Sequence, residues 1–416
     1  MQPLNKPNSL KRVAMATMIG TAIEYFDNYI YTMAAVLVFN HQFFHAADPL
    51  SGQIAALSTL ALTFIARPLG AILFGHFGDR FGRKNTFVIS LLVMGVSTMV
   101  IGLLPTYDSI GIWATLLLCL CRIGQGIGLG GEWGGAALVA IENAPEGKRG
   151  WYGTFPQLGA PLGLLLANGA FLLITDILGS AAMTDWAWRI PFLSSSILVV
   201  IGLYVRLKLA EAPIFVTALD KPQPKTLPMV EVIITHFKPF FLGMLICIAG
   251  YVLFYIIIAF SQIYAKSAPS QSEAGYAMGL GFSPQIFTAL LMYSAVSLAI
   301  SITISGKCID KIGRRIWLIW TTVAVAIFGL ALPYFLENGT TVSLFWFLII
   351  GMGLIGMGYG PLSSFLPELF PTHVRYTGAS LTYNIAGLFG ASVAAIIALP
   401  LNANYGLKGV GIYLTL

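Results

Sequence analysis

Apolar runs of about 20 residues or more recur along this chain, separated by short polar breaks. They lie at about 13–39, 52–74, 86–104, 110–141, 153–175 and 187–207, and again at 239–264, 283–305, 316–336, 342–366 and 375–400. Each is long enough to cross a hydrocarbon core of about 30 Å as a helix. A last apolar run begins near Gly409 and stops at Leu416, short of the roughly 20 residues that a span needs. The pattern predicts an all-α polytopic membrane protein of six plus six helices, with the final helix truncated. Residues 208–238 interrupt the pattern with a polar segment carrying Pro213, Pro222, Pro224 and Pro228. The expected organisation is a six-helix bundle over 1–207, a linker over 208–238 and a second bundle over 239–416.

The shortest break is the most informative. Gly75-His-Phe-Gly78-Asp79-Arg80-Phe-Gly82-Arg83-Lys84-Asn-Thr86 is a charged knot between two apolar runs. Its arginines and lysine predict a tight cytoplasmic loop. Gly75 and Gly78 suit a close approach of helix ends, and Gly82 a backbone conformation that other residues resist. Asp79 is placed to accept from the N–H groups of a neighbouring helix start or from an arginine. The pattern returns as Gly306-Lys-Cys-Ile-Asp310-Lys311-Ile-Gly313-Arg314-Arg315, so the chain reads as two homologous halves. A second repeated element, Glu-x-x-Pro-x-x-x-Arg, closes the fourth and tenth runs as Glu142…Arg149 and Glu368…Arg375. A carboxylate at a helix C-terminus opposes the helix dipole unless a cation answers it. These residues, with Asp79, Arg83, Asp310 and Arg314, are the candidate cytoplasmic gate.

Composition agrees with the pattern: 57% of the 416 residues are hydrophobic and 10% are charged, against about 25% charged in soluble proteins. The net charge of +6 does not point to nucleic acid, because the basic residues fall in alternate loops (Arg80, Arg83, Lys84; Lys148, Arg149; Lys307, Lys311, Arg314, Arg315; Arg375). With Lys11 and Arg12 before the first run, both termini are expected in the cytoplasm. Cys119, Cys121, Cys247 and Cys308 have no zinc-type spacing, no hydrolytic or redox constellation is visible, and neither an enzyme nor a metal or organic cofactor is expected.

The doubled loop motif resembles that of the major facilitator superfamily of secondary transporters. Further residues narrow the resemblance to its metabolite:proton symporter family: Gly20-Thr-Ala-Ile-Glu24-Tyr-Phe-Asp27, Arg67-Pro68-Leu-Gly70, Arg122-Ile-Gly-Gln125-Gly126, Gly130-Gly131-Glu132-Trp133-Gly134-Gly135, Trp188-Arg189-Ile-Pro191-Phe and Pro367-Glu368-Leu-Phe-Pro371. The resemblance covers nearly the whole chain. It implies a monomeric bacterial inner-membrane importer of a small organic acid or zwitterion, driven by the proton as coupling ion. Asn28 departs from the Phe usual after the Asp in such members. Drug–proton efflux and a substrate-sensing receptor with little transport are the alternatives. In the fifth run, Ala160 splits the Gly-Pro pair of drug antiporters, which weakens the efflux reading.

Ionisable side chains inside spans are costly and mark function. The first half holds Glu24, Asp27, Arg67, Arg122 and Glu132. Counting from the outer helix ends, Asp27 and Arg122 each lie about 12 residues, roughly 18 Å, deep. Glu24 and Arg67 match at about the same depth from the inner ends, and Glu132, at about 15 Å, competes for Arg67. Three acids against two arginines leave one acid in excess, free to carry a proton. Asp27 and Arg122 are the expected coupling pair, with Glu24 and Glu132 as other proton carriers. The candidate substrate contacts are Arg122 and Arg67, with Tyr251, Tyr255, Gln262, Tyr383 and Asn384 from the second half. The glycines of the fourth run, Gly124 to Gly135, predict close helix contact.

Overall fold

The computed structural model describes residues 9–44, 49–208 and 227–416. Its long helices are α1 (Leu10–Ala34), α2 (Pro49–Phe81), α3 (Arg83–Leu103), α4 (Ile112–Glu142), α5 (Arg149–Ala182), α6 (Arg189–Leu207), α7 (Phe237–Tyr255), α8 (Pro284–Ile312), α9 (Arg314–Glu337), α10 (Thr341–Glu368) and α11 (Arg375–Thr415). Among the described residues, nine helical stretches are long and apolar enough to cross a membrane. The helix α1, which carries Glu24, Asp27 and Asn28, is not one of the nine. Leu120, Ile177, Val200 and Leu330 lie exposed on helix faces, whereas Thr17, Thr21, Asp27, Arg122 and Gln125 are buried. Apolar outside and polar inside is the arrangement that suits a lipid solvent.

The charged knots are shorter turns than the sequence predicts. α2 continues to Phe81 and α3 begins at Arg83, so the only non-helical residue between them is Gly82, at φ 126°. α8 and α9 meet in the same way at Gly313, with φ 93°. A single glycine in this region reverses the chain, because a Cβ would clash there. Within the linker, Pro228–Ile234 is helical. Residues 209–226 of the expected linker lie outside the described residues. α5 is broken at Gly179 and α11 at Gly406.

The chain forms two compact units. The first comprises Met1–Pro145, Phe155–Phe240 and Leu366–Asn384; the second comprises Glu146–Thr154, Phe241–Phe365 and Ile385–Leu416. In the first, α2 and α3 pack on α4, and α1 packs on α4 and α6. The glycines of α4 permit this. A Cβ on Gly126 would meet Thr63 and Ala66 of α2, one on Gly130 the backbone of Arg67, and one on Gly128 the backbone of Ser90 and Met94 in α3. Close packing of small residues is how helices associate where lipid supplies no hydrophobic driving force.

Candidate functional site

The charged side chains predicted inside the first half converge within the first unit, on α1, α2 and α4. Asp27 is 2% exposed and accepts two hydrogen bonds: Thr98 Oγ1 of α3 donates to Oδ2 at 2.7 Å, and Ser195 Oγ of α6 to Oδ1 at 2.6 Å. Arg122 is a near neighbour, but no ion pair joins the two. Instead Arg122 Nη1 donates to Gln125 Oε1 at 2.5 Å, and Gln125 Nε2 donates to Thr98 Oγ1 at 2.7 Å. The expected coupling pair is therefore bridged through two uncharged side chains. The Arg122 guanidinium lies 3.6 Å from the centre of the Tyr31 ring, and Thr63 Oγ1 holds the Arg122 carbonyl. Its Nε and Nη2 have no hydrogen-bond partner among the described residues.

Glu132 is not the partner of Arg67. It pairs with Arg206, which donates from Nη1 at 2.9 Å and from Nη2 to the other carboxylate oxygen. Arg206 Nη1 also donates to the Phe87 carbonyl at 2.8 Å, and its guanidinium covers the Phe87 ring. Ser90 Oγ adds a donor to Glu132 at 3.3 Å. Both ends of the pair are fully buried. Arg206 thus corrects the count of acids and bases: three acids face three arginines. It stands at the end of its helix, where an arginine ordinarily reaches for the membrane interface, and that placement hid it. Glu24, 6% exposed, makes no hydrogen bond or ion pair among the described residues and lies within electrostatic range of Glu132, Arg67 and Arg206. Arg67 is 9% exposed and covers the Phe64 ring.

The remaining candidates divide between the units. Tyr383 stacks on Trp133 with ring centres 4.0 Å apart, and Asn384 donates to the Gly130 and Ser380 carbonyls, so both serve helix packing in the first unit. In the second unit, Tyr251 lies against Gly387 and Gly390, Tyr255 precedes a π-helical turn over Ile256–Phe260, and Gln262 is half-buried just beyond it.

The two repeated aspartates occupy equivalent places. Asp79 accepts from the N–H groups of Tyr376 and Thr377 at 3.1 and 2.9 Å and from Thr377 Oγ1 at 2.9 Å, at the start of α11. Asp310 accepts from the N–H groups of Gly150 and Trp151, both at 2.8 Å, at the start of α5. Each carboxylate thus satisfies backbone donors that a helix start leaves open. Gly75 and Gly78 give the space: a Cβ on them would meet Thr377 and Tyr376. Arg375 Nη1 reaches Glu142 Oε1 at 3.4 Å. The side chain of Arg83 lies outside the described residues. Arg149 and Arg314 stand at the first positions of α5 and α9, and Glu368 closes α10. One contact had no signal in the sequence: His373 meets Glu231 of the linker helix at 2.6 Å.

The sequence profile described as the Major Facilitator Superfamily matches residues 17–395. A Haemophilus influenzae protein is 88% identical over 415 residues, which is 100% of this chain and 93% of that protein. The inner membrane metabolite transport protein YhjE of Escherichia coli K12 is 48% identical over 98% of this chain and 91% of its own length. The shikimate transporter of the same strain is 31% identical over 94% and 87%. Among solved structures, the proton:xylose symporter XylE bound to 6-bromo-6-deoxy-D-glucose superposes with a TM-score of 0.76 at 16% identity, covering 98% of this chain and 94% of that one. The apolar helices, the polar interior and these matches lead to one conclusion: the chain belongs to the major facilitator superfamily and is a multi-pass membrane transporter of small metabolites.

Proposed function

We propose that this transporter imports a small carboxylate-bearing metabolite together with a proton, by alternating access, as a monomer in an inner membrane. Asp27 carries the proton and Arg122 binds the substrate carboxylate. One observation carries this reading. The Nε and Nη2 groups of Arg122 form one edge of its guanidinium and are both buried without a protein partner among the described residues. That edge matches a carboxylate with two parallel N–H bonds, a geometry lysine does not reproduce. Leaving two charged donors unsatisfied in an apolar span is costly, so a ligand that satisfies them is bound tightly. The shikimate transporter of Escherichia coli K12 carries a substrate that is itself a carboxylate, and XylE is a proton:xylose symporter.

The chemistry follows from charge. When Arg122 engages a substrate anion, it no longer supports the negative charge on Asp27, which takes up a proton from the outside. Substrate and proton then occlude as a nearly neutral assembly, and closing apolar helices around it costs less. The test is uptake by purified protein in proteoliposomes with an inward proton gradient, over a panel of carboxylates and zwitterions. Accumulation of a carboxylate is expected. Extrusion of a lipophilic cation would make the protein an efflux antiporter, and binding without flux a receptor. Asp27→Asn is expected to keep substrate exchange and lose proton-driven accumulation; Arg122→Lys loses both. An Asp27→Asn protein that still concentrates substrate would send the proton elsewhere.

A further inference from the structure

Every link between Arg122 and Asp27 is a hydrogen bond through a neutral side chain, and chemistry fixes the direction of each. An arginine only donates, so Gln125 turns its carbonyl oxygen to Arg122 and its Nε2 to Thr98. Thr98 Oγ1 accepts there. Its single proton has two acceptors within reach, Asp27 Oδ2 at 2.7 Å and the Met94 carbonyl at 3.1 Å. With Asp27 ionised, the shorter and charged bond takes it. All donors therefore point from the guanidinium to the carboxylate. Arg122, Gln125, Thr98, Asp27 and Ser195 are each at most 2% exposed, so no solvent competes for these bonds.

We propose that Gln125 and Thr98 are positioning residues that transmit the occupancy of Arg122 to the proton affinity of Asp27. The inference rests on the reading of Asp27 as proton carrier. When Arg122 turns to a substrate anion, Gln125 Oε1 loses its charged donor. A half-turn of the amide then presents Oε1 to Thr98, whose proton goes to it. Asp27 is left with Ser195 alone, and a carboxylate with fewer donors binds a proton more readily. Once protonated, Asp27 donates from Oδ2 to Thr98 Oγ1 and still accepts from Ser195 Oγ at Oδ1, so the carboxyl keeps a partner at each oxygen. The charged group facing Asp27 is Arg122 of α4, while α3 and α6 present the hydroxyls of Thr98 and Ser195. Glu24, on the same helix α1, faces Glu132, Arg67 and Arg206 instead.

The test needs no substrate. Purified protein in lipid bilayers is titrated while difference infrared spectroscopy follows the carboxylic-acid C=O stretch, and the Asp27 band is the one absent from Asp27→Asn. Thr98→Val keeps the shape and removes the hydroxyl. It is expected to raise the midpoint of that band by about one pH unit, the worth of a hydrogen bond to a charged group, and Thr98→Ser is expected to restore it. Arg122→Gln raises the midpoint too, but the double variant Arg122→Gln, Thr98→Val shifts it by less than the sum, because both cut one chain. Gln125→Leu cuts the chain at another link and is expected to show the same deficit against Arg122→Gln, so the test survives a Thr98 variant that fails to fold. An unmoved midpoint in Thr98→Val, or shifts that simply add, overturns the relay. If Asp27→Asn removes no titrating band, the proton-carrier reading itself fails, which is a separate result.

Discussion

The Glu132–Arg206 pair shows what a single glycine decides. A methyl on Gly20 would collide with the Arg206 guanidinium, so α1 leaves a notch through which α6 reaches α4. Removing one partner of such a pair strands a buried charge and costs about 3–5 kcal/mol, while replacing both by apolar residues is often neutral. Arg206→Met is accordingly expected to lower stability by about 3–5 kcal/mol in unfolding from detergent, and adding Glu132→Leu to regain most of it. A double variant as unstable as the single one would place the cost elsewhere. Charged residues in apolar runs were legible because the cost of burying charge makes them rare. Counting 1.5 Å per residue brings Asp27 and Arg122 to a common depth, and in the structure they lie within electrostatic range of each other, joined through Gln125 and Thr98 rather than as an ion pair. Their connectors were not legible. Thr98, Ser195 and Gln125 are ordinary in helices, where hydroxyls commonly bond back to the i−4 carbonyl, as Thr98 does to Met94. Nothing in the sequence separates a hydroxyl that also serves a carboxylate from one that does not.

At the scale of the element, the repeated loop motif was readable as a glycine turn with an aspartate looking for donors. Gly82 and Gly313 hold positive φ, and Asp79 and Asp310 each accept backbone N–H groups. The motif did not say which helix each aspartate meets, because local sequence specifies a turn but not its tertiary neighbour. A carboxylate at a helix start contributes about 0.3–1 kcal/mol when exposed and up to about 2 away from solvent, and Asp79 is buried at 1% exposure. An amide at the same place cannot accept at two oxygens. If these caps close the cytoplasmic gate, Asp79→Asn shifts the alternating equilibrium by about 1–2 kcal/mol, a factor of about 5–30. Ser380 is fully buried on α11 against Gly134, so a cysteine there reports on opening. In a background stripped of native cysteines, Ser380→Cys is expected to react with a maleimide faster by that factor once Asp79→Asn is added. An unchanged rate would take Asp79 out of the gate.

For the whole molecule, the sequence divides at the linker, but the compact units do not follow that division throughout. Segment 146–154, at the start of α5, belongs with the helices of the second half, and 366–384 with those of the first. These are the segments that Asp310 and Asp79 cap. Apolar run length marks where each long helix lies, since lipid thickness leaves little freedom, but it is blind to such exchanges. Orientation rests on charge alone. Arginine and lysine cluster at the turns at Gly82, 143–149 and Gly313, with Arg375 alone at 369–375, while the alternate connections near Asp108 and Asn338 hold none. Positive charge is retained on the cytoplasmic side during insertion, so the first set is expected inside with both termini and the linker. Glu146, Asp108 and Asn338 are exposed, which makes each a reporter that leaves packing undisturbed. In the cysteine-free background, a membrane-impermeant maleimide is expected to label Asp108→Cys and Asn338→Cys in intact cells, and Glu146→Cys only in inverted vesicles. Because a helix crosses once, these positions are bound together: labelling of Glu146→Cys from outside would reverse the orientation of every span, and with it the direction in which the proton gradient drives substrate.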